Sequence, residues 1–575
     1  MEPFVNNPYG GRMDEIAASA TPFPHRAGNL FKIQYCMSWT EEGIETTKQY
    51  LSFLRNLYEA MTPFVSKNPR EAFLNYRDID IGANLHNQTE FGIARVYGSK
   101  FFKDNFDRMS YVRNLRFISP TTPKPLLIVA AKHESHVPAT VICAKSLGLE
   151  IRIRSGGHDY EGVSYVSRNT KDFIVLDMFN LRSINIDMAD ESAWVQSGAI
   201  LGEIFYAISM KSKNHAFPAG VCPSIGAGGH FTGGGYGNMM RKYGLSTDNI
   251  VDAKIVNVNG KILDRKAMGE DLFWAIRGGG GSSFGVILAW KIKFVRVPAT
   301  VTVFEVKRTL AQGATEILVK WQQVADKLDH DLFIRAIIKP ANGTIEVSFM
   351  SLFLGNSERL LKLMSQSFPQ LGLQKTDCHE MSWIQSVLYW TNYQNGTTSP
   401  EVLLNRVPKG QVFLKRKSDY VKQPISKTDL EALWKVMIEI GEVTMLWNPY
   451  GGKMSEIPET ATPFPHRAGN LFKIQYSVNW KEEGFESTKR YLSLMKKLYV
   501  AMTPYVSKNP RMAFYNYRDL DIGTNSKGRY DEAKVYGTKY FKGNFERLVR
   551  IKTEVDPENF FRNEQSIPTL PSKQL

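Results

Sequence analysis

The chain has 575 residues, 43% hydrophobic and 22% charged, with a formal net charge of +15. That is an ordinary globular balance, with material for roughly two to four domains or one large two-domain enzyme. No run of about 18 or more apolar residues appears, which excludes an obvious membrane-spanning helix. The surplus Lys and Arg are scattered, without zinc-finger spacing or an RNA-binding signature, so nucleic acid is not an expected partner.

The opening Met1-Glu2-Pro3-Phe4 has no basic segment leading into an apolar one, so no secretory signal is expected. Cys36, Cys143, Cys222 and Cys378 form no Cys-x-x-Cys pair, so neither a zinc site nor thiol redox chemistry is predicted, and no metal is expected. Asn87, Asn342 and Asn395 begin Asn-x-Ser/Thr triplets, which weakly favour a secretory history.

The amino-terminal part repeats the carboxy-terminal part. Ala20 to Tyr35, ATPFPHRAGNLFKIQY, recurs letter for letter from Ala461 to Tyr476. NPYGG at Asn7 and Asn448, then NYRDIDIG from Asn75 and NYRDLDIG from Asn516, extend the match at constant spacing. Residues 1–109 thus duplicate the segment around 442–548. Two distant copies bracketing a central region are not a solenoid. If the second copy completes the fold, the first has no vacant place to dock and is expected to be a peripheral, poorly packed appendage. Its Lys32, Gln34 and Tyr76 are expected to be bystanders.

From residue 124 the pattern alternates. Leu126 to Ala130 is a short apolar run typical of a buried strand. His136 to Ser146 has helical spacing, and Glu150 to Arg154 alternates as a strand. Ser155-Gly156-Gly157 follows, a turn whose backbone can approach a ligand closely and whose N–H groups suit a pyrophosphate. Strands over 173–176 and 193–196 and a helix from Leu201 to Lys211 come next. PAGVCPSIGAGGHFTGGGYG is then so glycine-rich that neither helix nor strand is expected within it. Another glycine turn spans 278–285. Together these loops predict one extended cofactor-binding domain. Residues 300–445, with helices over 314–327 and 357–367 and a strand over 344–349, predict a second α+β domain over the substrate.

Three segments carry a family likeness: RIRSGGHDYEG (Arg152 to Gly162), FPAGVCPSIGAGGHFTGGGYG (Phe217 to Gly237) and the terminal NYRDLDIG…FFRNEQSIP. With them the chain resembles the plant berberine bridge enzyme-like FAD oxidoreductases, over about 110–575. The resemblance implies an α+β fold: a vanillyl-alcohol-oxidase or PCMH-type FAD-binding domain plus an α+β substrate domain with an antiparallel sheet. The implied boundaries are 1–109 for the duplicated segment, 110–300 for a front-truncated FAD domain, 301–510 for the substrate domain, and 511–575 for a segment returning to the FAD domain.

The resemblance also implies FAD held by two covalent bonds, from His158 to the 8-methyl carbon and from Cys222 to ring carbon C6. Arg154, Ser155, Gly156, Gly157, Asp159, Ser197, Gly198, Gly226, Gly228, Gly229, His230, Gly233, Gly234, Gly235 and Asn516 are the further expected cofactor contacts. Tyr160, Tyr236, Lys473, Gln475 and Tyr517 are the expected catalytic residues. Lys473 and Gln475 alternate on one strand face. This Lys–Gln pair resembles the subgroup that oxidises monolignols, with no carboxylate at either position. Lys473 is expected to lower the Tyr236 pKa so that the phenolate accepts the alcohol proton.

The implied partners are a small-molecule alcohol and O₂ or another electron acceptor. Ile225, three residues past Cys222, stands where relatives modulate oxygen access, and its bulk implies a poor oxidase. A monomer is expected, in the cell wall or vacuole by resemblance, although no signal segment is seen. Family members carry an amino-terminal cysteine bonded to the position of Cys143; here that partner is expected to be missing. The alternatives are oxidation of an oligosaccharide at its anomeric hydroxyl and a non-catalytic or misassembled fusion product.

Overall fold

The computed structural model describes residues 4–21, 23–67, 70–73, 112–119, 121–393, 398–406 and 411–571. Tyr76, Asn87 and Asn395 lie outside the described residues. The chain divides into two compact units, 1–112 with 118–122, and 113–117 with 123–575.

In the smaller unit, β1 (Phe4–Pro8) pairs antiparallel with β2 (Phe31–Tyr35), placing Asn7 opposite Lys32 and Pro8 opposite Phe31. Helix α1 (Ile44–Ala60) follows and buries none of its residues. This unit reproduces the pairing made by the second copy, where Asn448 stands opposite Lys473 and Pro449 opposite Phe472. The same text therefore folds to the same register, because turn and side-chain pattern fix it locally.

The larger unit opens on three parallel strands: β3 (Leu127–Ala130), β4 (Glu150–Arg154) and β5 (Phe173–Asp177), in the order β3-β5-β4. Helix α2 (His136–Ser146) connects β3 to β4 and buries Val137, Val141 and Ala144. A five-stranded antiparallel sheet follows, built from β6 (Ile184–Asp187), β7 (Ser192–Gln196), β8 (Ile250–Val256), β9 (Ile262–Leu263) and β10 (Val286–Lys293) in the order β9-β8-β10-β7-β6.

Between β7 and β8 lie α3 (Leu201–Lys211) and α4 (Ala227–Thr232). Helix α4 corrects the expectation that the glycine run holds no helix. It forms because Ala227, His230, Phe231 and Thr232 are buried together, and tertiary burial outweighs the cost of Gly228 and Gly229.

A seven-stranded antiparallel sheet forms the other half. Its strands are β11 (Val301–Thr309), β12 (Leu332–Ala341), β13 (Thr344–Phe353), β14 (His379–Met381), β15 (Phe413–Val421), β16 (Thr444–Pro449) and β17 (Phe472–Trp480), in the order β14-β11-β13-β12-β16-β17-β15. Helices α5 (Ala314–Val324), α6 (Ser357–Ser367), α7 (Lys427–Ile440) and α8 (Phe485–Ala501) bury Leu318, Trp321, Leu360, Trp434 and Leu498 in the same apolar core as the sheet residues Phe349, Trp447 and Phe472. After β17 the chain returns to the first half, where α9 (Asn544–Val555) buries Leu548 and Val549 in the main core. All four cysteines are free thiols.

Candidate active site

A cavity of about 360 Å³ opens between the two halves of the larger unit. Its lining comes from the turn after β4, the glycine run, the turn before β10, strands β12, β16 and β17, and the segment 514–518. The cavity thus gathers elements far apart in sequence, as expected for a ligand site between layers.

The turn after β4 supplies Ser155, Gly156, Gly157, His158, Asp159 and Tyr160 to the lining. Gly156 and Gly226 pack backbone to backbone: a Cβ on Gly156 would stand 2.3 Å from the Gly226 nitrogen. Ser155 donates to the Ser197 carbonyl across 2.6 Å, and Ser197 to that of Ile287 across 2.5 Å. Asp159 is held on both oxygens: Glu161 N–H and Val163 N–H donate to Oδ1, and Arg518 Nε donates to Oδ2 across 2.9 Å.

His158 and Cys222 line the same cavity. Buried His158 Nε2 has no hydrogen-bond partner among the described residues, and such an orphan costs free energy unless a ligand meets it. Burial first, then the charge of Arg113, lowers the His158 pKa to about 3, so the ring is the neutral base. His230 is likewise neutral, its pKa lowered to about 3 by burial and by Lys473. Its Nε2 accepts the Gly220 N–H across 2.9 Å, which places the proton on Nδ1.

Gly226, Gly228 and Gly229 reach the cavity, and a Cβ on Gly229 would meet no atom within 4 Å. Gly233, Gly234 and Gly235 do not line it. They serve packing instead: a Cβ on Gly233 would fall 1.6 Å from Asn516 Oδ1, and Gly234 and Gly235 take φ of 117° and 73°. Asn516 lines the cavity and donates to the His230 carbonyl across 2.7 Å. Arg154 and Gly198 also lie outside the lining. Arg154 is buried against Asp177 at 2.6 Å, and Gly198 passes so close to Met178 that a Cβ would meet its carbonyl at 1.9 Å.

Of the expected catalytic residues, Tyr160, Tyr236, Gln475 and Tyr517 line the cavity. Gln475 donates to the Tyr160 hydroxyl across 3.2 Å, and the Tyr160 and Tyr517 rings lie 6.0 Å apart. Lys473 shares the strand face but stands behind the lining. Its Nζ is buried, without a hydrogen-bond partner among the described residues, 3.6 Å from the Tyr236 ring centroid, 3.8 Å from Phe514 and 4.3 Å from Tyr517. Burial first, then the charge of Arg335, lowers its pKa well below the usual lysine range.

The cation at the Tyr236 hydroxyl is Arg335, which the sequence reading missed. Its Nη2 donates to that oxygen across 2.6 Å and its Nε to Asn448 Oδ1 across 2.6 Å, while the Tyr236 hydroxyl donates to the same Asn448 oxygen. Burial raises the Tyr236 pKa and Arg335 opposes the rise. Tyr515 and Arg518 also line the cavity and were not singled out, although they flank Tyr517 in its motif.

Two family models match. The berberine and berberine-like model covers 513–568 and, in the duplicated copy, 72–114; the FAD-binding domain model covers 125–265. Berberine bridge enzyme-like 14 of Arabidopsis thaliana is 61% identical over 81% of this chain and 88% of its own length. The chain belongs to the berberine bridge enzyme-like family. It is an FAD-dependent oxidoreductase with the PCMH-type fold. The solved structure of a BBE-like protein of Arabidopsis thaliana superposes with a TM-score of 0.78 at 48% identity, covering 80% of this chain and 95% of that one. A grass pollen allergen with glucose dehydrogenase activity superposes with a TM-score of 0.77 at 47% identity, covering 80% and 94%.

The residues present fit a flavin. The orphaned His158 nitrogen, the Cys222 thiol and the open backbone at Gly229 face one cavity. Among the described residues no helix is long and apolar enough to cross a membrane, and no cluster of metal-ligating residues occurs.

Proposed function

We propose that the chain holds FAD through His158 and Cys222 and oxidises a monolignol-type alcohol, an allylic alcohol carried by an aromatic ring. The observation that carries this reading is the polarised Tyr236 hydroxyl, bonded to Arg335 and Asn448 at one wall of an aromatic cavity. When bound, the flavin supplies a two-electron acceptor for hydride; the protein's part is to orient and tune.

Tyr160, Tyr517, Phe514 and Leu446 offer flat apolar walls for the substrate ring. Tyr236, as phenolate, accepts the proton of the alcohol hydroxyl while hydride leaves the carbon that bears it. Arg335 stabilises the phenolate with a charge-assisted hydrogen bond. Lys473, over the ring face, adds positive charge when protonated. Gln475 fixes the Tyr160 hydroxyl, and no carboxylate stands at 473 or 475. Ile225 lines the cavity beside Cys222 and narrows the approach of dioxygen, so a different electron acceptor is favoured.

A second reading, oxidation of a sugar hydroxyl, is supported by the likeness to the grass pollen allergen with glucose dehydrogenase activity. Turnover assays with a dye acceptor separate the two. Coniferyl alcohol converted to its aldehyde, with glucose and cellobiose inert, supports the aromatic reading; the reverse supports the sugar.

A further inference from the structure

Outside the cavity lies a cluster of two lysines and three carboxylates, in which Glu161 Oε2 also stands 3.8 Å from Arg116 and 3.7 Å from Arg168. Lys415 Nζ lies 2.5 Å from Glu161 Oε1, 2.8 Å from Asp519 Oδ1 and 3.0 Å from Asp521 Oδ2. Lys417 Nζ lies 2.6 Å from Asp519 and 2.7 Å from Asp521. Of the lysines and carboxylates, all but Asp521 are buried. Burial alone would lower the Lys415 pKa, but Glu161 and Asp519 outweigh it and hold the amine charged. Such clusters are stable only while every member is present, because removing one partner strands a buried charge.

The cluster joins three segments. Glu161 follows Tyr160 and ends the turn that begins at His158; Lys415 and Lys417 are on β15; Asp519 follows Arg518 and lies two residues past Tyr517. Two further ties run the same way. Asn114 donates to the carbonyls of Tyr160, across 2.8 Å, and of Leu414, across 3.1 Å. Arg518 holds Asp159. The 158–161 turn is thus anchored at consecutive residues to elements remote from it in sequence. Cys222 stands on another segment, which bonds to Ser224 and, through the 223–227 backbone, to residues 199–202, and which meets the turn only at its start, where Gly226 packs on Gly156. None of them involves the charge cluster.

We propose that Lys415 is a positioning residue for flavin attachment: with Glu161 and Asp519 it locks the turn in the orientation from which His158 bonds to the cofactor. The inference rests on the two-link reading above. Forming the His158 link exchanges a C–H bond at the flavin 8-methyl carbon for a C–N bond. The carbon and the imidazole each give up a proton to solvent, and the two electrons left on the ring pass to dioxygen, giving peroxide. Lys415 touches none of these atoms; it acts through Glu161 on the position of the imidazole, to which such reactions are steeply sensitive.

The test uses the full chain in two backgrounds, Cys222→Ala, in which only His158 can hold the flavin, and His158→Ala, in which only Cys222 can. The readout is yellow colour retained after acid precipitation, per mole of protein. Lys415→Met is expected to cut retention about tenfold in the first background and to leave the second unchanged. Glu161→Gln, which keeps side-chain shape, is expected to act in the same direction, and Lys415→Arg to restore most of the loss. Equal loss in both backgrounds means the cluster is general scaffold and overturns the inference; so does no loss in either. If the two parent backgrounds themselves retain no flavin, the two-link reading is what has failed, and the inference falls with it.

Discussion

Arg335 donates a 2.6 Å hydrogen bond to the Tyr236 hydroxyl, while Lys473 lies 3.6 Å from the centroid of the same ring. One phenol is therefore met by a guanidinium at its oxygen and by an amine at its face. Both groups are buried, and burial first, then the charge of Arg335, lowers the Lys473 pKa. Only one of them bonds the atom that would carry the proton.

That division sets a pH signature. Tyr236 is raised from the usual tyrosine value by burial and pulled back by Arg335. Anaerobic flavin reduction, followed by stopped flow, is expected to quicken as pH rises through the alkaline range, where the phenolate forms. Arg335→Met moves that rise upward by about one pH unit or more. Tyr236→Phe slows reduction by about 10²–10⁴-fold while the flavin stays attached. A pH profile unchanged in Arg335→Met contradicts the assignment.

Oxygen reactivity tests the wall beside Cys222. Ile225 lines the cavity there. Ile225→Gly is expected to speed reoxidation of the reduced enzyme by dioxygen about tenfold or more, with little change in the reductive half-reaction. Rapid reoxidation of the wild type, unchanged in the variant, contradicts the role given to this side chain.

The packing of Gly233 on Asn516 predicts coupling. A Cβ at 233 would lie 1.6 Å from Asn516 Oδ1. Gly233→Ala is expected to cost about 1–3 kcal/mol of stability by forcing the amide away. The cost shrinks in an Asn516→Ala background, where the obstacle is gone. Thermal melts of the four proteins measure the coupling; additive effects would refute it.

The neutral His230 fixes a direction for stability against pH. Its folded pKa of about 3 lies below the ordinary value of 6.5, so between them the unfolded chain binds more protons. The stability it contributes is complete above about pH 6.5 and is lost as pH falls toward 3, at up to about 1.4 kcal/mol per pH unit. In His230→Gln the difference from wild type narrows as pH falls over that window. Parallel curves for the two proteins would show that His230 does not titrate this way.

Much of the site was legible because its motifs are local. Helices 136–146, 201–211 and 357–367 lie where periodicity placed them, and the turn after β4 carries its cavity residues in one run. Arg335 was not legible. In Phe333-Ile334-Arg335-Ala336 an arginine on an alternating strand resembles any solvated one. It reaches Tyr236 only because β12 pairs with β16, setting Ala336 opposite Trp447. Period-two spacing gave the face of Lys473 but not the three rings that close over it.

The two copies make the same point. Phe31 is 50% exposed in the first, whereas its twin Phe472 is fully buried against Trp447, at 4.5 Å between rings. The first copy has Asn6 where the second has Trp447. Local text sets register; the covering layers set burial.

The most direct test of the central claim is the intact mass and visible absorbance of the full-length protein after acid precipitation. The account predicts a yellow pellet and a mass increased by one FAD. The colour is lost when His158→Ala and Cys222→Ala are combined but retained in each single variant. A colourless pellet of bare polypeptide mass would contradict covalent attachment through these two residues.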